Sequence, residues 1–191
     1  MDFALARFLN QLGRGFIDPV TDLVCEVPLL VVVWLVLVLL ALRFDREDGR
    51  RVGVAVLCAV AIHFVISEGL LKHLVLAELP MRVRPYLAHP GEIVPVGHEF
   101  TDSSFPSSHA ASTAAIVTVF GQAYRRYATA GALFVLVMCF SRVHNGMHYP
   151  TDVLAGSLLG LGYGALAIRA VAEVARRRAN RAAAPAREAA S

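Results

Sequence analysis

Charge is scarce in this 191-residue chain. Only 17% of its residues are Asp, Glu, Lys or Arg, against 57% hydrophobic, and mean hydropathy is +0.58. A soluble domain carries about 25% charged residues, so an ordinary globular protein is excluded. The few charges gather between long apolar runs, the distribution a bilayer selects, because a charge near its centre costs at least ~2.5 kcal/mol. The formal net charge of +3 is too small to suggest a nucleic-acid partner. Cysteine is scarce too. Cys25, Cys58 and Cys139 lie in or beside apolar runs without metal-ligand spacing, and an odd, locally unpaired set excludes a disulfide framework. No cleavable signal peptide is expected, since the first strongly apolar run starts late and no small-residue cleavage site follows it.

What is present is a series of apolar runs: Val27 to Leu42, Val52 to Leu71, Ala110 to Tyr124, Tyr127 to Phe140 and Asp152 to Ala172. A bilayer core needs about 20 helical residues, so the third and fourth runs borrow from their flanks. With no water to satisfy backbone groups, all five are predicted to be helices. The expected fold is an all-α, polytopic membrane bundle of five to six helices. Residues 1–26 form an interfacial amphipathic segment, 27–172 the transmembrane domain, and 173–191 a basic cytoplasmic tail that anchors topology and frays. Whether Met1 to Asn10 lies on the membrane or spans it as a degenerate sixth segment is left open by its pattern. Arg43, Arg46, Arg50 and Arg51 fall between runs one and two, Arg125 and Arg126 between three and four, and five more arginines after run five. The positive-inside rule places these regions in the cytoplasm of a plasma-membrane protein. The loops His73 to Ser108 and Ser141 to Thr151 then face outward.

Those two loops hold three polar clusters: Lys72 with Arg82, Arg84 and Pro85; Pro106-Ser107-Ser108-His109; and Ser141-Arg142 with His148 and Asp152. Pro106 and two serines before an apolar run signal a helix start, whose unpaired N–H groups and dipole attract an anion. Arg84 and Arg142 supply forks that match phosphate oxygens, and Lys72 a point charge. His148 suits a nucleophile if its other nitrogen donates to a carboxylate such as Asp152, and His109 could protonate the leaving oxygen. Plainer readings stand beside these: Asp152 as a first-turn acid, Arg142 as a snorkelling arginine, Ser107 as an ordinary cap.

The three clusters resemble the tripartite signature of the type 2 phosphatidic acid phosphatase superfamily, which also contains vanadium haloperoxidases. The third block, Ser141-Arg142…His148…Asp152, matches in full. In the second, Ser108 stands where the family has glycine, which bears on a positive φ there. In the first, eleven residues separate Lys72 from Arg84, more than the family's usual spacing, and Arg82 is an alternative to Lys72. The resemblance implies a helical bundle and a phosphohistidine intermediate, with no cofactor and no required metal. By carry-over, His148 is the nucleophile, Asp152 its partner and His109 the acid, while Lys72, Arg84, Ser107, Ser108 and Arg142 bind phosphate. The expected substrate is a lipid phosphate or diphosphate, a polyprenyl diphosphate first, then phosphatidylglycerol phosphate, phosphatidic acid or a decaprenyl phosphoribose phosphate. An anion transporter or binding protein, a haloperoxidase-like use of the pocket and an inactive scaffold are the competing classes.

Four further features remain. Glu68 precedes Lys72 by one turn, an ion-pair spacing. His63, in mid-span, is expected to be a packing residue. His144, His148 and Asp152 have ladder spacing, but Pro150 breaks the helix a metal site would need. Gly156, Gly160 and Gly164 predict close helix packing inside the chain or, alternatively, a homodimer face.

Overall fold

The computed structural model describes residues 1–75 and 81–188; the side chains of residues 46, 47, 68, 72–75 and 184–188 also lie outside the described set. Two short helices, α1 (Asp2–Gln11) and α2 (Asp18–Cys25), precede the bundle. The spans are α3 (Val27–Phe44), α4 (Arg46–His63) continuing as a π-helix over Phe64–Val75, α6 (Ser108–Ala123), α7 (Ala128–His144) and α8 (Pro150–Glu188). A single turn, α5 (Pro85–Ala88), interrupts the outer loop. Four of the helical stretches are long and apolar enough to cross a membrane. The helix α6, only 16 residues long, is shorter than these four.

The placement of α6 explains its modest apolarity. Alanines Ala110, Ala111, Ala114 and Ala115 are buried along it together with Thr113, Ile116 and Val119, so it is a central helix shielded from lipid. By contrast α3, the greasiest run, fully buries only Leu30 and Ala41, packs Trp34 and Val38 partly against the core and leaves most other positions exposed. The main core joins Val52, Val56 and Ala59 of α4 to Ile116 and Val119 of α6 and Tyr163 of α8. Within it, Ser67 and Tyr163 share a buried hydroxyl–hydroxyl hydrogen bond of 2.8 Å.

The glycine stripe is spent inside the chain. A Cβ at Gly156 would run into the Ser107 carbonyl, one at Gly160 into the Ala111 carbonyl, and one at Gly164 into the Ala115 carbonyl. This stripe therefore welds α8 to α6 and is not a free dimer face. Gly160→Ala is expected to force the two helices apart, lowering the melting temperature by the equivalent of ~1–3 kcal/mol and disturbing the Ser107–His109 corner. An unchanged melting curve in detergent would refute that close approach.

Two expectations are corrected. The tail does not fray at residue 173: α8 runs on to Glu188, as an alanine- and arginine-rich sequence of high helix propensity favours. Glu173 accepts from Arg176 at 3.0 Å and Arg177 at 2.6 Å in that extension. Nor is Ser108 strained, because no residue other than glycine has positive φ among those described; Ser108 is simply the first residue of α6.

Candidate active site

The turn between α7 and α8 carries His148 into the bundle. Asn145 closes α7, Gly146 turns the chain at φ +72°, and the N–H groups of Met147 and His148 return to the Arg142 carbonyl at 3.2 and 3.3 Å. Glycine is required at that turn for its φ and because any Cβ would strike Ile93. The imidazole is buried, and its Nδ1–H donates to the Ser104 carbonyl at 2.7 Å. That carbonyl takes the orienting role expected of Asp152, whose Oδ2 stands 3.9 Å from Nδ1. Asp152 instead accepts the Tyr149 N–H at 2.8 Å, capping α8 as its first-turn position suggested, and pairs with Arg82 at 2.6 Å.

With Nδ1 protonated, Nε2 presents its lone pair to the pocket. Arg84 Nη1 and Arg142 Nη2 both stand 3.4 Å from it. Burial first, then the charges of Arg142 and Arg84, hold the His148 imidazole well below its ordinary value, so it stays neutral at pH 7. The unfolded chain binds this proton near pH 6.5 and the folded one does not, so stability falls as pH drops below about 6.5, by up to ~1.4 kcal/mol per pH unit. Melting curves from pH 7.5 to 5.5 are expected to fall more steeply for the wild type than for His148→Gln; parallel curves would contradict a depressed His148.

Arg84 is anchored by the Asp102 carboxylate at 2.6 Å and the Met147 carbonyl at 3.1 Å. Arg142, 3% exposed, forms no ion pair among the described residues, and its buried Nε has no hydrogen-bond partner. Its sulfur neighbour Cys25 does not neutralise it, because burial pushes that thiol up and keeps it uncharged. The ring of Phe100 lies 5.3 Å from the Arg84 guanidinium and 5.8 Å from that of Arg142. His109 enters from the first turn of α6, its Nε2–H donating to the Cys25 carbonyl at 3.1 Å, which leaves Nδ1 for chemistry.

Arg84, Ser108, His109, Arg142 and His148 thus line one cavity of about 350 Å³. Its floor is polar. Its mouth is apolar, formed by Val27, Leu30 and Val31 of α3 with Val60 and Phe64 of the second span. His63, expected only to pack, also borders it. Ser107 does not line the cavity: its N–H donates to the Asp152 carbonyl at 3.2 Å, and its buried hydroxyl has no hydrogen-bond partner, making no side-chain cap. The Lys72 side chain and the Glu68–Lys72 pair lie outside the described residues. Arg82 is no substitute for Lys72 in the pocket, since it turns away to Asp152, Thr151 and Asp2. The His144–His148–Asp152 ladder is broken too. His144 points the other way, Nδ1 to the Leu9 carbonyl at 2.9 Å and Nε2 to Asp18 at 2.8 Å.

The N-terminal helices are the part that sequence reasoning missed. Asn10, fully buried, donates to the Val94 carbonyl at 2.9 Å and the His144 carbonyl at 2.6 Å, and accepts the Val94 N–H at 3.1 Å. Asp2 receives the Thr151 N–H, the Thr151 hydroxyl and Arg82. Burial opposes its charge, but these bonds prevail and hold the carboxyl below the usual range. Asp2, Arg82 and Asp152 form a chain from α1 to the His148 turn. Arg82→Gln is expected to lower kcat about tenfold with KM nearly unchanged, and Arg82→Lys to recover part of it. A purely KM effect would place Arg82 on the substrate instead.

Known proteins resemble this chain along most of its length. Residues 51–176 match the model of the PAP2 superfamily. Over 157 residues the chain is 30% identical to the bacitracin transport permease protein BcrC of Bacillus licheniformis, covering 81% of this chain and 73% of that one. Over 161 residues it is 33% identical to an undecaprenyl-diphosphatase of Sulfolobus acidocaldarius, covering 82% of this chain and 64% of that one. The crystal structure of Aquifex aeolicus LpxE superposes with a TM-score of 0.68 at 19% identity, over 88% of this chain and 94% of the other.

Proposed function

Because the chain belongs to the PAP2 superfamily, we propose that it hydrolyses a polyprenyl diphosphate at the outer face of the plasma membrane, through a phosphohistidine and without a metal. The observation that carries this reading is Arg142: a buried guanidinium with no ion pair among the described residues converges with Arg84 on the lone pair of a neutral, oriented histidine. Buried charge without a partner costs several kcal/mol. A phosphoryl group between the two forks would repay it.

In the proposed reaction, Nε2 of His148 attacks phosphorus while Arg84, Arg142, the Ser108 N–H and Lys72 hold the equatorial oxygens. The negative charge of the bound substrate favours a second proton on His109, at Nδ1; as the bond to the leaving oxygen breaks, this imidazolium passes its Nδ1 proton to that oxygen. His109 then takes a proton from water, whose oxygen attacks the phosphohistidine and releases phosphate, restoring both rings. The Ser104 carbonyl keeps the His148 tautomer, and Asp152 steadies the turn that presents it.

A lipid substrate suits the mouth of the cavity, whose walls on α3 and the second span are apolar and open between helices. Both the tail and the headgroup could then reach the site laterally within the bilayer. The arginines between spans support the outward orientation, and α1 and α2 would lie at the outer interface. The decisive assay is phosphate release by detergent-purified protein in excess EDTA from undecaprenyl diphosphate, phosphatidylglycerol phosphate and phosphatidic acid in parallel. EDTA-resistant release, fastest from the polyprenyl diphosphate, is the expected result. Release abolished by EDTA would overturn metal independence, and preference for a glycerolipid would reassign the substrate. The name of the Bacillus relative raises a transport reading; binding of polyprenyl diphosphate without any turnover would favour it.

A further inference from the structure

A second, larger cavity, of about 1090 Å³, lies at the opposite end of the bundle from the catalytic histidines. It exists because α3 runs along α4 and meets α7 through the edge of Trp34 on Phe134, ring centroids 5.7 Å apart, so that a cleft opens between α3 and the α6–α7 pair. Its walls are apolar, with Leu37, Leu40 and Phe120 among them, and its rim carries Arg125 and Arg126. Both arginines are exposed, and neither forms an ion pair among the described residues. Arg126 stacks on the Tyr127 ring at 4.7 Å. Among the described residues the one acid lining the cleft is Asp45, whose Oδ1 accepts the Asp48 N–H at 3.2 Å and caps α4.

We propose that this cleft is a binding site for an anionic phospholipid that is not a substrate: a phosphodiester such as phosphatidylglycerol, drawn from the leaflet opposite the catalytic site. Lipid-facing space between helices fills with acyl chain, and the two guanidinium forks at the rim match the phosphodiester oxygens. Basic pockets between membrane helices recognise anionic headgroups in this manner. The ligand differs from the proposed substrate in leaflet, in headgroup and in having no terminal phosphate, and the site does not depend on turnover.

Trp34 is the only tryptophan in the chain and borders the cleft, so its fluorescence reports occupancy. Because Trp34 also borders the catalytic cavity, the experiment needs a control there. The full-length protein in mixed micelles is titrated with phosphatidylglycerol or phosphatidylcholine carrying the same brominated acyl chain, which quenches indole on contact. The wild type is expected to bind the phosphatidylglycerol about fivefold or more tightly. Arg125→Gln/Arg126→Gln is expected to make the two lipids equivalent while keeping phosphate release at the wild-type rate. Arg142→Gln is expected to preserve the preference. Equal quenching by both lipids in the wild type would overturn the proposal, as would a preference that disappears in Arg142→Gln and survives in the double variant, which would put the lipid in the catalytic cavity.

Discussion

His148→Ala is expected to lower phosphate release from the preferred lipid by about 10⁴-fold or more, because it removes the atom to which phosphorus bonds. The same variant should form no acid-labile, base-stable phosphoprotein when quenched during turnover, whereas the wild type should. Its fold should survive: the imidazole makes one strong hydrogen bond, to the Ser104 carbonyl, and the turn that carries it is held by backbone bonds to Arg142. Removing a buried ring leaves a cavity, so some loss of stability accompanies the change. Substantial residual turnover in a folded His148→Ala protein would sink the nucleophile assignment and leave the arginines as an anion site alone.

Arg142→Met has two opposed effects, and their combination is diagnostic. Activity should fall by about 10³-fold, as when one donor to a developing anion is removed. Stability in phosphate-free detergent should rise, by ~1–3 kcal/mol, because an apolar side chain of similar length replaces a buried charge that forms no ion pair among the described residues. Inorganic phosphate should stabilise the wild type, by ~2.7 kcal/mol at a concentration one hundredfold above its dissociation constant, and leave Arg142→Met unmoved. A structural arginine would behave in the reverse way. Its loss would lower the melting temperature at every phosphate concentration and leave the phosphate-induced shift in place. The two variants therefore test separate claims, since His148→Ala keeps the phosphate shift and loses turnover.

Much of this architecture was written in local patterns. Five apolar runs became five bundle helices, four of them long and apolar enough to cross a membrane, because in lipid only an internally bonded helix satisfies its own backbone. The glycines of α8 announced a close neighbour, and the structure supplies α6. The third cluster brought Arg142 and His148 together because both flank a single turn, and their spacing along the chain dictates their distance in space. Arg84 and His109 were candidates because each sits in a polar cluster beside a span, Arg84 before Pro85 and His109 after Pro106-Ser107-Ser108, and because those clusters resemble the family signature.

What tertiary structure decided was which groups face which. The Ser104 carbonyl orients His148 from 44 positions away, and a backbone carbonyl has no signature in sequence. Asp152 was legible as an acid near a histidine, but only the fold turned its carboxylate toward Tyr149 N–H and Arg82. Asp2 and Asn10 looked like the polar face of an interfacial helix. In the structure Asp2 reaches Thr151 across 149 positions and Asn10 reaches His144 across 134. Local sequence determines which segments are helical and where their charges sit, because those depend on neighbours within a turn or two. The partner of a polar group across the bundle depends on how the helices tilt and dock, and that is settled only when the whole chain buries its groups at once.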